Sequence, residues 1–190
     1  MYDFIKTPSR SEDFIPTGVD KLDMLLEGGI PKGFMTLILT VPGSGCEILF
    51  KQIAASGDAL IFSTEEPKEE IISTMKRFGW KTDGIEIVDI ASKYIESPTM
   101  LEKVVMEVMN LFNKAPENAG KCLILDSLST LMIYNDPPLV IEFFYHLLNK
   151  MRSENIHTIS LVIEEGEGDK YINKMIYLND KILKVRDTFI

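Results

Sequence analysis

Apolar positions along the chain fall into short blocks of two kinds that alternate with each other. Blocks of the first kind are short and mostly apolar, as expected for strands buried on both faces of a parallel sheet. In blocks of the second kind, apolar residues recur every three or four positions, which is the spacing of amphipathic helices. The predicted strands are 34–39, 59–63, 85–90, 121–125 and 158–163, and the predicted helices are 19–27, 48–55, 68–78, 98–113 and 138–152. This alternation predicts an α/β domain with a mainly parallel sheet and helices on both faces.

The two ends of the chain differ from this pattern. Near the carboxyl end, residues 175–178 and 181–185 flank Asn179-Asp180, and short apolar segments around such a pair are typical of a tight turn. We therefore expect a C-terminal antiparallel hairpin. Residues 1–14 mix polar and aromatic side chains and are interpreted as an N-terminal arm, so that 15–190 form a single domain of ordinary size.

Charge and composition exclude several classes of function. The net charge is −9, and a negative chain is poorly suited to bind nucleic acid through its phosphates, so no nucleic-acid partner is expected. No apolar run reaches the roughly 18 residues that a membrane-spanning helix needs. The two cysteines have no metal-binding spacing and form no disulfide framework. We expect a cytoplasmic protein without a membrane partner.

Residues 40–47, Thr-Val-Pro-Gly-Ser-Gly-Cys-Glu, have the layout of a phosphate-binding loop between a strand and a helix. The usual pattern is G-x-x-x-x-G-K-[ST], in which the lysine binds the β- and γ-phosphates and the hydroxyl holds Mg²⁺. Here Cys46 stands in the lysine position and Glu47 in the hydroxyl position. The backbone amides of Gly43, Ser44 and Gly45 need no particular side chain and remain able to bind an anion. The loop is therefore a degenerate Walker A motif.

Four further segments occur in a recognisable order. They are Pro-Thr-Gly-Val-Asp-Lys-Leu-Asp at 16–23 with Gly-Gly-Ile-Pro-Lys-Gly at 28–33, Ser-Thr-Glu-Glu-Pro at 63–67, Leu-Ile-Leu-Asp-Ser-Leu-Ser at 123–129, and Ile-Leu-Lys-Val-Arg at 182–186. Together with the loop they resemble the KaiC-like branch of the RecA superfamily, which has a P-loop ATPase fold. The resemblance covers most of residues 15–187.

This resemblance implies roles for particular residues. Glu65 or Glu66 would activate the attacking water, and Asp126, at the end of the Walker B strand, would orient Mg²⁺ through its water shell. Lys184 and Arg186 would contact a nucleotide bound by the adjacent subunit. The resemblance also implies assembly into homo-oligomeric rings or filaments. Asp187 stands where many relatives have a glycine, which departs from the pattern beside Arg186.

Electrostatics favours one functional reading among these. We expect Glu47, Glu65, Glu66 and Asp126 to converge around one pocket, with no lysine from the loop to oppose them. Each close like-charge pair costs about 1–4 kcal/mol at effective dielectric constants between 80 and 20. In addition, a carboxylate at residue 47 would lie at a helix N-terminus, where it can stand in for the missing phosphate.

The sequence therefore favours a non-hydrolysing binding or regulatory protein that acts with itself or with an active paralogue. No cofactor is certain, and Mg-ATP is expected to bind weakly or not at all. The alternative is a weak ATP-binding protein or ATPase that is active as an oligomer, with an accessory role in DNA recombination or repair. A third reading takes Cys46 as a reactive thiol, because helix N-termini lower thiol pKa values, although the adjacent acidic residues oppose that shift.

Overall fold

The computed structural model describes residues 14–92, 122–164 and 170–185, and every structural statement below refers to these residues. The predicted helix at 98–113, most of the N-terminal arm and Arg186 lie outside them. The described elements are β1 (Phe14–Ile15), α1 (Asp20–Leu25), β2 (Ile30–Pro31), β3 (Met35–Thr40), α2 (Cys46–Ala55), β4 (Ala59–Ser63), α3 (Lys68–Arg77), β5 (Ile85–Asp89), β6 (Cys122–Asp126), α4 (Leu128–Tyr134), α5 (Pro137–Ser153), β7 (His157–Ile163), α6 (Lys170–Leu178) and β8 (Lys181–Val185).

The centre of the fold is a six-stranded sheet in the order β5-β4-β6-β7-β3-β8. Every neighbouring pair in this sheet is parallel. All residues of β3, β4 and β6 are buried, because helices cover both faces of the central strands. The predicted α/β class with a mainly parallel sheet is confirmed. The assignment of 15–190 to one domain stays a prediction.

Two apolar clusters form the core, one on each face of the sheet. Leu37 and Leu39 point into the cluster that contains Phe144 of α5 and Met175 of α6. Ile38, between them in sequence, belongs to the opposite cluster with α2 and α3. This division follows from the two-residue period of a strand. Within the described ranges, no helix has both the length and the apolar content needed to cross a bilayer.

The predicted C-terminal hairpin is wrong. Residues 170–178 form helix α6, and β8 pairs with β3 in the parallel direction. Ile172 and Met175, three residues apart, are buried on one side of α6, so that helical spacing prevails over the turn signal. Asn179 donates its side-chain amide to the Met175 carbonyl at 2.8 Å and thereby follows the end of a helix. The antiparallel pairing in the described structure joins β1 to β2.

One described helix has no counterpart among the predicted elements. It is α4, seven residues long, and it begins directly after β6. Ser127 is its N-cap, with a side-chain oxygen that accepts a hydrogen bond from the Thr130 amide at 3.4 Å. A serine directly before a helix is a local capping signal, because its side-chain oxygen can accept a hydrogen bond from the backbone amide three positions later. The seven-residue segment is too short for its apolar period to stand out.

Candidate functional site

The carboxyl ends of the central strands bring most of the predicted site residues to one edge of the sheet. β3 ends at Thr40, directly before the glycine loop, and β4 ends at Ser63, two residues before the first of the paired glutamates. Ser63 lies in register with Asp126, the last residue of β6. Because all these strands are parallel, their carboxyl ends lie at the same edge. In parallel α/β sheets this edge is where ligands bind.

The glycine loop has the backbone conformation that its sequence predicts. Gly43 and Gly45 have φ angles of 76° and 79°, which is the left-handed region that favours glycine. A Cβ added at either position would meet no atom within 4 Å. The buried Ser44 hydroxyl oxygen accepts two hydrogen bonds within this segment, from Thr40 Oγ1 at 2.5 Å and from the Cys46 amide at 3.3 Å. The glycines are thus needed for their conformation, since space around them is open.

Cys46 is the first residue of α2 and lies in the apolar core, 1% exposed, in the same cluster as Ile38 and Phe50. This burial argues against a reactive thiol. Glu47 lies in the first turn of α2, as predicted, and is half-buried. In the part of the chain that the structure describes, its carboxylate accepts no hydrogen bond, so that its role as a substitute for phosphate stays a prediction.

Glu65 is held by two hydroxyl groups at the start of α4. Its Oε1 accepts a hydrogen bond from Thr130 Oγ1 at 2.8 Å. The Ser127 hydroxyl also donates to this oxygen. Neither hydroxyl was among the predicted site residues, although Ser127 is the N-cap of α4 and Thr130 is the residue whose amide it caps. The carboxylate of Glu65 is therefore oriented by β6 and α4 as well as by its own turn.

Glu66 forms an ion pair with a lysine that the motif analysis does not include. Lys51 Nζ lies 2.8 Å from Glu66 Oε1 and 3.3 Å from the backbone carbonyl oxygen of Glu47, to which it donates. The Lys51 side chain is 4% exposed and that of Glu66 is 27% exposed. The Ser63 hydroxyl donates to the Glu66 carbonyl at 2.7 Å and accepts the Glu66 amide at 3.2 Å. The turn that carries Glu66 is thus fixed at both its backbone and its side chain.

The loop supplies no lysine, but the helix that follows the loop does. Lys51 comes four residues after Glu47, and residues at this spacing lie on the same face of a helix. The i,i+4 spacing of Glu47 and Lys51 was the signal in the sequence that Lys51 lies near the loop. This signal does not predict that Lys51 is buried in the pocket, because a glutamate and a lysine at this spacing usually form a solvent-exposed pair on a helix.

Asp126 is the most deeply buried acidic group of the pocket, 4% exposed. Among the described residues, none donates a hydrogen bond to its Oδ1. Burial first, and then the charges of Glu65, Glu66 and Glu47, raise the pKa of Asp126 to about 7, and the ammonium of Lys51 opposes this rise. The structure thus brings Glu47, Glu65 and Glu66, together with Lys51, within electrostatic reach of Asp126.

Lys184 lies apart from this pocket. It is exposed on β8, in register with Leu39 of β3. β7 and β3 separate β8 from β6 in the sheet. The contact of Lys184 with a neighbouring subunit stays a prediction. Among the described residues, no group of three or more histidine, cysteine, aspartate or glutamate side chains has a geometry that would hold a metal ion.

The parallel sheet, the glycine loop between β3 and α2 and the acidic residues at the ends of β4 and β6 define a RecA-like protein of the P-loop class. A model of the KaiC ATPase family matches residues 15–178. The chain therefore belongs to the KaiC-like branch of this superfamily, as the sequence motifs predict.

Individual relatives agree with this assignment. A UPF0273 protein of Methanocaldococcus jannaschii is 29% identical over 145 residues, which cover 66% of this chain and 60% of that protein. The circadian clock protein KaiC2 of Synechocystis is 25% identical over 187 residues, 90% of this chain and 32% of that protein. A crystal structure of a KaiC-like protein from Pyrococcus horikoshii superposes with a TM-score of 0.72 at 18% identity, over 91% of this chain and 80% of that one. The chain thus spans less than two thirds of the length of these curated relatives.

Proposed function

We propose that this KaiC-family chain does not hydrolyse ATP efficiently and acts as a binding or regulatory protein, with itself or with an active paralogue. The observation that carries this proposal is the buried ion pair between Lys51 and Glu66, with 2.8 Å between the ammonium nitrogen and the carboxylate oxygen. This contact pairs Lys51 with Glu66, one of the two glutamates that the family resemblance assigns to catalysis.

The state of both glutamates supports the proposal. A general base must reach the proton that it removes, within about 2.6–3.2 Å or through one water. Glu66 is paired with Lys51, and Glu65 accepts hydrogen bonds from the hydroxyls of Ser127 and Thr130. These partners hold the Oε1 atom of each carboxylate, so that a water could reach only the other oxygen without displacing a partner. This arrangement restricts the positions from which either carboxylate could accept a proton.

The phosphate-binding side of the pocket gives a second line of support. The Cys46 thiol is buried in the core and carries no positive charge, and Glu47 adds a negative one. A triphosphate would enter among these carboxylates, and Lys51, the lysine that acts on Asp126 among the described residues, is already paired. We infer that the pocket residues of this chain, without residues from a neighbouring subunit, bind Mg-ATP poorly.

The partner in this proposal is a second copy or a related, active chain. Support comes from Lys184, which is exposed at the carboxyl half of the edge strand β8 and unused by the pocket of its own chain. Arg186 follows Lys184 by two positions in the sequence. The pair would then contact a nucleotide bound by the neighbour, as the family resemblance implies.

Thermal unfolding in the presence of nucleotide tests the proposal for this pocket. Millimolar MgATP or MgADP is expected to leave the midpoint of the wild-type protein unchanged. A ligand at 100 times its dissociation constant would add about 2.7 kcal/mol to the free energy of unfolding, which is readily detected. The double variant Cys46→Lys with Glu47→Thr restores both loop side chains and is expected to gain a shift of several degrees. A shift of that size in the wild-type protein would contradict the proposal.

A second experiment tests the partner. Light scattering gives the oligomeric state, and the ATPase rate of an active paralogue is measured with and without this chain. Lys184→Ala is expected to abolish any stimulation. Lys181→Ala is the matched control, because Lys181 is also exposed but lies at the other end of β8. Equal loss with both variants would assign the effect to the charge of the strand instead of a specific contact.

The conformation of the loop favours one alternative, a weak ATPase active as an oligomer. Gly43 and Gly45 keep the left-handed backbone and open surroundings that a phosphate requires. On this hypothesis, hydrolysis rises with protein concentration and is lost in Asp126→Ala and in Glu66→Gln. Hydrolysis that is unaffected by either substitution comes from a contaminant.

A further inference from the structure

The ammonium group of Lys51 lies inside the acidic pocket. Its nitrogen contacts Glu66 of the β4 end and the Glu47 carbonyl of its own helix, and its charge opposes the rise in the pKa of Asp126. Its side chain is 4% exposed. A buried ammonium is stable only when it is paired, since taking an isolated charge out of water is costly. The carboxylates around Lys51 provide that pairing.

Lys51 therefore joins α2 to the turn after β4, and its charge acts on Asp126 at the end of β6. A divalent cation in this pocket would lie between the start of α2 and the acidic ends of β4 and β6, and would use oxygen ligands. Here one of those oxygens, Glu66 Oε1, is already bonded to an ammonium. A doubly charged ion beside that ammonium would be repelled by it.

We propose that Lys51 is the resident counter-ion of the pocket, which takes the place of a divalent cation between α2 and the ends of β4 and β6. The pocket is consequently assembled without metal. This inference deepens the proposed function. It rests on that function in one respect, since both hold that this chain alone binds no Mg-nucleotide.

A direct consequence concerns the pocket without its lysine. Lys51→Met removes the charge and keeps much of the apolar side-chain volume. The carboxylates of Glu66 and Glu47 then act on buried Asp126 without the ammonium that opposes them. A divalent ion becomes the simplest means to neutralise them. Lys51→Arg keeps a positive charge at the same place and should keep metal out.

Thermal unfolding in nucleotide-free buffer, with Mn²⁺ or with EDTA, tests the proposal. Millimolar Mn²⁺ is expected to raise the midpoint of Lys51→Met by several degrees. It should change the midpoints of the wild-type protein, Lys51→Arg and Lys76→Met by no more than about one degree, since these binding shifts follow the occupancy of the site. Lys76 is a matched control because it is exposed on α3. NaCl of equal ionic strength separates metal binding from the screening of charges.

The proposal is overturned if the wild-type protein gains the same shift as Lys51→Met, or if Lys51→Met gains none. Should Lys51→Met not fold in EDTA, circular dichroism records its refolding on addition of Mn²⁺. Recovery with Mn²⁺ but not with NaCl supports the proposal, and no recovery with either overturns it. Because no nucleotide is present, these outcomes are independent of the MgATP experiment that tests the proposed function.

Discussion

The hydroxyl oxygen of Thr64 accepts a hydrogen bond from the backbone amide of Ser127 at 2.8 Å. The same hydroxyl lies 3.1 Å from the Asp126 carbonyl and 3.0 Å from the Ser127 carbonyl, and the Thr64 amide donates to the Asp126 carbonyl at 2.7 Å. This buried side chain joins the ends of β4 and β6. Thr64, which directly precedes Glu65, is thereby held against Asp126 and against Ser127, the N-cap of α4.

Thr64→Val is expected to lower the free energy of unfolding by about 1–3 kcal/mol, because it keeps the shape of the side chain and leaves a buried amide without its acceptor. Urea unfolding measures the change. Thr74→Val is the control, since Thr74 is half-buried on α3 and its side chain makes no hydrogen bond to the described residues. If both variants lose the same amount, the contact between strand ends contributes little.

The buried carboxyl of Asp126 predicts a dependence of stability on pH. Burial and the nearby carboxylates raise its pKa from the ordinary 3.8 to about 7. Between these values the folded protein holds a proton that the unfolded chain has released, so the free energy of unfolding falls as pH rises. The slope reaches about 1.4 kcal/mol per pH unit and vanishes above the folded-state pKa. Asp126→Asn should remove this contribution.

The comparison of wild type with Asp126→Asn at about pH 5 and about pH 8 isolates this effect, because other groups contribute equally to both proteins. Relative to the variant, the wild type is expected to be more stable at the lower pH than at the higher. A difference between the two proteins that does not change with pH would contradict the raised pKa.

His157 predicts the opposite dependence. Burial at the start of β7, with a smaller effect from Lys32, lowers its pKa from 6.5 to about 4. Between these values the unfolded chain binds a proton that the folded protein does not, so the free energy of unfolding rises with pH. His157→Gln should flatten the profile in this interval. Urea unfolding at several pH values between about 4 and 7 measures the profile, and an unchanged profile in His157→Gln would contradict the lowered pKa.

Gly29 is expected to tolerate no side chain. Its φ is +123°, and a Cβ would lie 2.2 Å from the Ile15 carbonyl oxygen in β1. Gly29→Ala should therefore lower the free energy of unfolding by at least about 1–3 kcal/mol, the usual cost of such a backbone conformation, with the clash in addition. Gly57→Ala is the control, because a Cβ there meets nothing within 4 Å, and a change without strain stabilises by about 0.4–1 kcal/mol. Equal losses in both variants would contradict this account.

The predicted elements that fall within the described residues, outside the C-terminal segment, agree with the structure to within a few residues at each end, because burial on both sheet faces leaves a strong apolar pattern. The helix at 98–113 lies outside the described residues and stays a prediction. For residues 175–178 the strand prediction was wrong because apolar side chains suit a strand and a helix equally, and packing of Ile172 and Met175 into the core decided for the helix. Among the predicted site residues, Glu47, Glu65 and Glu66 lie within electrostatic reach of Asp126. Their positions follow strand ends, which a sequence marks well.

The sequence by itself determined the family and the glycine loop, and it places Cys46 and Glu47 directly after Gly45 of that loop. These features are local, so their spacing along the chain is sufficient. Only the tertiary structure decided that Lys51 reaches Glu66, and that Ser127 and Thr130 reach Glu65. Such contacts join residues 15 to 65 positions apart, and their partners are chosen by the packing of strands and helices. The same packing decides which charged side chains share the pocket.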